Sequence, residues 1–225
     1  MSLALSSPVP GPHGGAEIVT AGSPMGAART AVVMCHGRGG SARDMLAFAD
    51  ELEAPTTAFV APQAAGMTWY RYPFMAPLAA NEPHLSSALA LVGAIVEALA
   101  GKGIQPEHQI LLGFSQGGCL ALEFAGRTAR RYGGVVGLSA GLIGPPGRSW
   151  GFTASLEGTP VLLGCSDVDP HIPLERVRES ARELERIGGA VDMRIYPGLG
   201  HTVNSDELDA VQRMLDRVAR PVDAG

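Results

Sequence analysis

Short β-branched or apolar runs bounded by turn residues recur along the chain at 17–20, 31–35, 57–61, 109–113, 134–138, 160–164 and 191–196, and each predicts a strand. Between them the apolar period changes to three and four. Leu174, Val177, Ala181, Leu184 and Ile187 fall on one helical face that stops at Gly188-Gly189, a C-terminal signal. A second face follows Asn204, a capping residue with Glu207 three positions on, and aligns Leu208, Val211, Leu215 and Val218. The stretches 84–102, 117–127 and 42–52 supply three more predicted helices. Strands alternating with helices need right-handed crossovers. They build a mainly parallel sheet covered on both faces, so the predicted fold class is α/β, a three-layer sandwich with its binding sites at the carboxyl ends of the strands.

The 225 residues, 46% of them hydrophobic, suffice for one buried core and predict a single domain over 16–225. The segment 1–15 is rich in Ser, Pro and Gly and is expected to be flexible. The stretch 62–83 carries Met67, Trp69, Tyr70, Tyr72 and Phe74 among its prolines. Irregular stretches of that length serve function or are disordered, and the aromatics favour an ordered flap.

Charge narrows the partners. The net charge is −5 and only 17 residues are Lys or Arg, without a basic run, so the footprint of a nucleic-acid binder is missing. No Lys or Arg precedes Arg29, and Pro8, Pro10 and Pro12 interrupt any apolar signal core, so secretion is not expected. The uncharged run from Leu85 ends at Glu97, too short for a membrane span. Cys35, Cys119 and Cys165 are odd in number and lack a CxxC pair, which argues against a disulfide framework or a zinc site. Buried thiols in a reducing cytoplasm are the expectation, with no metal, no cofactor and no stable membrane insertion; a homodimer is compatible with this reading.

The pattern G-x-S-x-G occurs at Ser115 and again at Ser139. With 30 glycines a bare match means little, and context decides. A nucleophilic serine on this pattern needs a strand, a sharp turn and then a helix. Ser115 follows the strand 109–113 and precedes a helix-favouring run from Cys119. Ser139 is followed by Gly141, Gly144, Pro145, Pro146 and Gly147, which cannot continue as a helix. A serine hydroxyl also needs an imidazole to take its proton and a carboxylate to orient that imidazole. In such sheets the acid and then the histidine follow the serine on later strand ends. His201, after the strand 191–196, fits as the base, whereas His171 lies too close to the acid loop. His13, His36, His84 and His108 precede Ser115, and His13, His84 and His108 read as surface or satisfied core residues. The acid loop after 160–164 offers Asp167 and Asp169, which spacing does not separate. The oxyanion would be met by the N–H of Gln116, after the nucleophile, and by that of Arg38 in the loop His36-Gly37-Arg38-Gly39-Gly40. Trp69, Tyr70 and Leu142 are candidate pocket liners.

From Val33 onward the chain resembles the phospholipase/carboxylesterase group of α/β-hydrolases, which includes acyl-protein thioesterases and bacterial carboxylesterases. The resemblance is carried in order by HGRGG, APQAAGMTWYRYPF, LLGFSQGG, SDVDPHIP and YPGLGH. It implies the α/β-hydrolase sandwich and hydrolysis of a small-molecule ester through an acyl-enzyme. It implies Asp169, the aspartate before proline, as the acid, with Asp167 in support. Arg38 and Gly40 stand where many members carry Leu and Asp. The expectation is a serine carboxylesterase for short to medium acyl groups. Its alternatives are a thioesterase or lysophospholipase for longer chains, and a catalytically silent fold that binds a ligand.

Overall fold

The computed structural model describes residues 3–220. Seven strands form one sheet in the order β1-β3-β2-β4-β5-β6-β7. They are β1 (Ile18–Gly22), β2 (Thr30–Cys35), β3 (Thr57–Pro62), β4 (Gln109–Phe114), β5 (Gly134–Leu138), β6 (Pro160–Ser166) and β7 (Ala190–Tyr196). β1 runs antiparallel to β3, and every other pairing is parallel. β2 to β5 are buried along almost their whole length, which explains their continuous Val, Leu and Ala runs: strands covered on both faces have no polar side to alternate with.

Among the described residues five α-helices cover the two faces: α1 (Ala42–Ala49), α2 (His84–Ala100), α3 (Gln116–Arg127), α4 (Leu174–Arg186) and α5 (Ser205–Ala219). α1 and α5 bury Met45, Val211 and Leu215 with Val32, Ile110 and Leu162 in one core. α2, α3 and α4 bury Leu91, Leu122 and Leu184 with Val33, Leu111 and Leu163 in the other. α1 and α5 open on capping boxes, Ser41 with Asp44 and Asn204 with Glu207, in which each side chain accepts the other residue's N–H. The three-layer α/β arrangement and all seven strands follow the hydrophobic pattern. Differences lie at element ends. β6 continues to Ser166 because Cys165 and Ser166 pair with Ile195 and Tyr196, a tertiary pairing with no local signal. α1 ends at Ala49, short of 52.

The N-terminal segment departs from the expected flexibility. Over its described residues Leu3 and Val9 are buried, and His13 is completely so. The 62–83 stretch is ordered and holds two short 3₁₀ turns, Ala65–Met67 and Leu78–Asn81.

β2 leads outward to β3 on one side while β4 continues the sheet on the other. The chain direction therefore splits between β2 and β4, which pair through Cys35 and Gly113. A crevice at the carboxyl ends of the strands is expected at such a switch point. The loop 36–40 and the turn at Ser115 flank it.

Candidate active site

Ser115 sits at the junction of β4 and α3 with φ 53 and ψ −121. That is a strained conformation for a residue with a Cβ, and it lifts the hydroxyl out of the turn. The turn closes only because its neighbours lack side chains. A Cβ on Gly113 would stand 2.3 Å from Gly117 backbone, and one on Gly117 2.1 Å from the Cys35 carbonyl oxygen. Ser115 N–H donates to the Leu138 carbonyl at 2.9 Å, tying the elbow to β5.

The loop after β7 brings His201 over this serine. His201 Nε2 lies 2.9 Å from Ser115 Oγ, and His201 Nδ1 lies 2.7 Å from Asp169 Oδ2. Both are hydrogen-bond distances. The imidazole is held between the Phe114 ring at 5.0 Å and the His171 ring at 4.8 Å. Asp169 has no exposed side-chain surface. Burial alone would raise its carboxyl. The bond from His201 and the N–H groups of His171 and Ile172, at 2.8 and 3.0 Å on Oδ1, outweigh that and hold it below the ordinary carboxylate value. Asp167 faces elsewhere: its Oδ1 accepts from Gly198 N–H at 2.8 Å and braces the loop that leads to His201. The two aspartates that spacing leaves equivalent are thus separated by geometry.

Ser139 also has a positive φ, 45, at the end of β5. It is buried, its N–H donates to the Gly164 carbonyl, and no helix follows it.

The loop 36–40 and the first residue of α3 meet at the same cavity. Gly39 and Gly40 N–H are taken by the Met67 and Gly37 carbonyls, while Arg38 and Gln116 line the cavity beside Ser115. Gln116 opens α3, where the first N–H groups have no intrahelical acceptor.

The side chains of Arg38 and Gln116 do work that sequence reasoning missed. Arg38 Nη1 and Nη2 donate to the Tyr70, Arg71 and Tyr72 carbonyls at 2.9, 3.0 and 3.0 Å. Gln116 Oε1 accepts from Trp69 N–H at 2.9 Å and Thr68 Oγ1 at 3.1 Å, and its Nε2 donates to Tyr70 at 2.7 Å. The flap is therefore fastened by two residues that line the cavity beside Ser115. Little local in the sequence signals this, because all but one of the partners are backbone N–H and C=O groups that nearly any residue carries.

Two histidines fasten the flap further. His36 Nε2 accepts from Ala64 N–H at 3.1 Å while Nδ1 donates to the Gly37 carbonyl at 2.7 Å. His13 Nδ1 accepts from Ala65 N–H at 3.1 Å while Nε2 donates to the Trp69 carbonyl at 3.0 Å. Both patterns require the neutral ring. Burial lowers both pKa values, consistently with that requirement.

The cavity has a volume of about 430 Å³. Tyr70 lines it. Trp69 and Leu142, also expected there, belong to the core instead. Trp69 is fully buried with its indole N–H on the His36 carbonyl, and Leu142 is fully buried between Ser180 and Arg176. Phe74, Phe114 and Ile172 supply the apolar walls. Cys119 lies at the cavity, but burial pushes its thiol up to about 12, so it is unionised near neutrality. Cys35 and Cys165 are likewise buried and free. Among the described residues no group of three or more His, Cys, Asp or Glu is placed to hold a metal ion, and no helix is long and apolar enough to cross a membrane.

A parallel sheet with one antiparallel edge strand, a serine elbow between β4 and α3, and loops of β6 and β7 converging on it define an α/β-hydrolase architecture. Residues 14–219 match the phospholipase/carboxylesterase family, to which the chain belongs. A phospholipase/carboxylesterase structure from Dyadobacter fermentans superposes with a TM-score of 0.87 at 42% identity, covering 92% of this chain and 99% of that one. Acyl-protein thioesterase 1 of Gibberella zeae is 36% identical over 125 residues, 53% of this chain and 52% of its own. Carboxylesterase SOBER1 of Arabidopsis thaliana is 26% identical over 145 residues, 64% of each chain. The match thus spans about half the length of the first of these two relatives and less than two thirds of the second.

Proposed function

We propose that the protein is a serine carboxylesterase that hydrolyses short- to medium-chain carboxylic esters. The observation that carries this reading is the unbroken line Ser115 Oγ, His201 Nε2, His201 Nδ1, Asp169 Oδ2, with separations of 2.9 and 2.7 Å. In this reading His201 takes the Ser115 proton as Oγ attacks the acyl carbonyl. The N–H groups of Arg38 and Gln116 receive the oxyanion. The tetrahedral adduct collapses, His201 passes the proton to the departing alcohol, and an acyl-enzyme remains on Ser115. Water, deprotonated by His201, then releases the acid and restores the serine. Asp169 fixes the imidazole tautomer and stabilises its cation. Only the chain's own residues and water enter these steps.

The cavity volume, with Phe74 and Ile172 as walls, favours a short or medium acyl group. A second reading, thioester hydrolysis, draws on the similarity to the Gibberella zeae thioesterase, and the same acyl-enzyme would serve it. An acyl-length series of p-nitrophenyl esters and matched thioesters separates the two.

The deciding experiment is Ser115→Ala. It is expected to lower kcat on p-nitrophenyl butyrate by a factor on the order of 10⁶ and to abolish labelling by a fluorophosphonate. Undiminished hydrolysis would remove Ser115 from the chemistry. Wild-type protein that resists the label yet binds an ester saturably would favour a silent, ligand-binding fold.

A further inference from the structure

We infer that the site selects esters carrying an anionic oxygen group, with Arg71 as the residue that selects them. This rests on the esterase reading and names its substrate class. The chain carries a net charge of −5, yet among the described residues no carboxylate lines the cavity beside Ser115. The ionisable groups that do line it, apart from His201, are Arg38, Arg71 and His171, with the weakly acidic Tyr70 and Cys119.

Arg38 is consumed by the three flap carbonyls it binds. Arg71 is not. Its backbone carbonyl is held by Arg38 Nη1, and its Nε donates to His84 Nε2 at 3.3 Å, which fixes the stem of the side chain. Among the described residues its two terminal nitrogens meet no acceptor and no carboxylate pairs with it. A guanidinium with a fixed stem and a free fork is suited to an oxyanion, whether a carboxylate or a phosphate. Arg71 is exposed at the cavity wall, so its attraction for an anion is open to screening by salt.

Such a contact exists in both the bound ester and its transition state, so it acts on KM rather than kcat. Two anion positions are distinguishable. A carboxylate on the acyl part is presented by p-nitrophenyl hemisuccinate, compared with p-nitrophenyl butyrate. A phosphate on the alcohol part is presented by the butyric ester of glycerol 3-phosphate, compared with monobutyrin. The expected result is that wild-type kcat/KM favours at least one anionic member over its neutral counterpart by about tenfold, through KM, and that added salt erodes the preference. Which pair shows the preference places the anion. Arg71→Glu should invert the anionic-to-neutral ratio, Arg71→Ala abolish the preference, and Arg71→Lys restore part of it. The inference is overturned if neither anionic ester is preferred, or if the ratio is the same in wild type and Arg71→Glu. If wild type hydrolyses no ester, the esterase reading fails and takes this inference with it. Hydrolysis of the neutral esters without an anionic preference sinks this inference alone.

Discussion

Gln116 Nε2 donates to the Tyr70 carbonyl at 2.7 Å, so the residue next to Ser115 also fastens the flap at the cavity.

Gln116→Ala keeps the backbone N–H and removes three flap bonds. It is expected to raise KM for p-nitrophenyl esters more than it lowers kcat, with kcat/KM down by about tenfold or more. An equal fall in kcat with an unchanged KM would mean that the side chain acts on the reaction rather than on the flap.

The two loop aspartates should respond differently. Asp169→Asn is expected to cost about 10⁴ in kcat, because the amide presents the wrong partner to His201 Nδ1. Asp167→Asn keeps an acceptor for Gly198 and should stay within about tenfold of wild type. Steady-state kinetics on both variants checks this, and a larger loss at 167 would reverse the roles.

His13 and His36 tie stability to pH. Burial lowers both pKa values from about 6.5, so the folded state favours the neutral rings. Their contribution is complete above the unfolded value near 6.5 and is lost as pH falls below it, because the unfolded chain then binds the extra protons. The bonds at risk are those from Ala64 and Ala65. Thermal melts between pH 7.5 and 5 should show Tm falling, and His13→Gln, which does not titrate, should flatten the slope.

Glu207 works in the opposite direction. Burial first, then the neighbouring Asp206 charge, raises its carboxyl to about 7, against an ordinary value near 4.5, while Asn204 N–H bonding resists the shift. The protonated form is favoured in the fold, so the contribution is present below 4.5 and lost as pH rises through 7. Its Oε1 is buried without a partner. Glu207→Gln should therefore stabilise the protein at pH 8 by about 1–3 kcal/mol and leave it little changed at pH 5, as read by denaturant titration.

The sheet was legible because buried parallel strands announce themselves as local apolar runs such as Val32-Val33-Met34. The antiparallel direction of β1 was not, since it is decided by pairing with β3 and not by its own five residues. Ser115 and His201 could be paired because chain order and turn residues mark strand ends, whereas Asp169 was separated from Asp167 only by the family resemblance; the folded chain brings Ser115, His201 and Asp169 within hydrogen-bond reach. The core positions of Trp69 and Leu142 were not legible, because an aromatic or aliphatic side chain near a site carries no mark of which way it faces. The buried segment around His13 escaped for a related reason. Its order rests on His13 meeting Ser87, Ala65 and Trp69, partners 52 to 74 positions away, and Pro-Gly content reports only local freedom.

His201 hangs from the end of β7, the outermost strand, which has a ladder partner on one side only. Ser115 hangs from β4, locked between β2 and β5. The serine and histidine of the proposed mechanism thus rest on supports of unequal firmness. On gradual warming the rim strand loosens first, and ester turnover should fade while the helical circular dichroism signal is still intact.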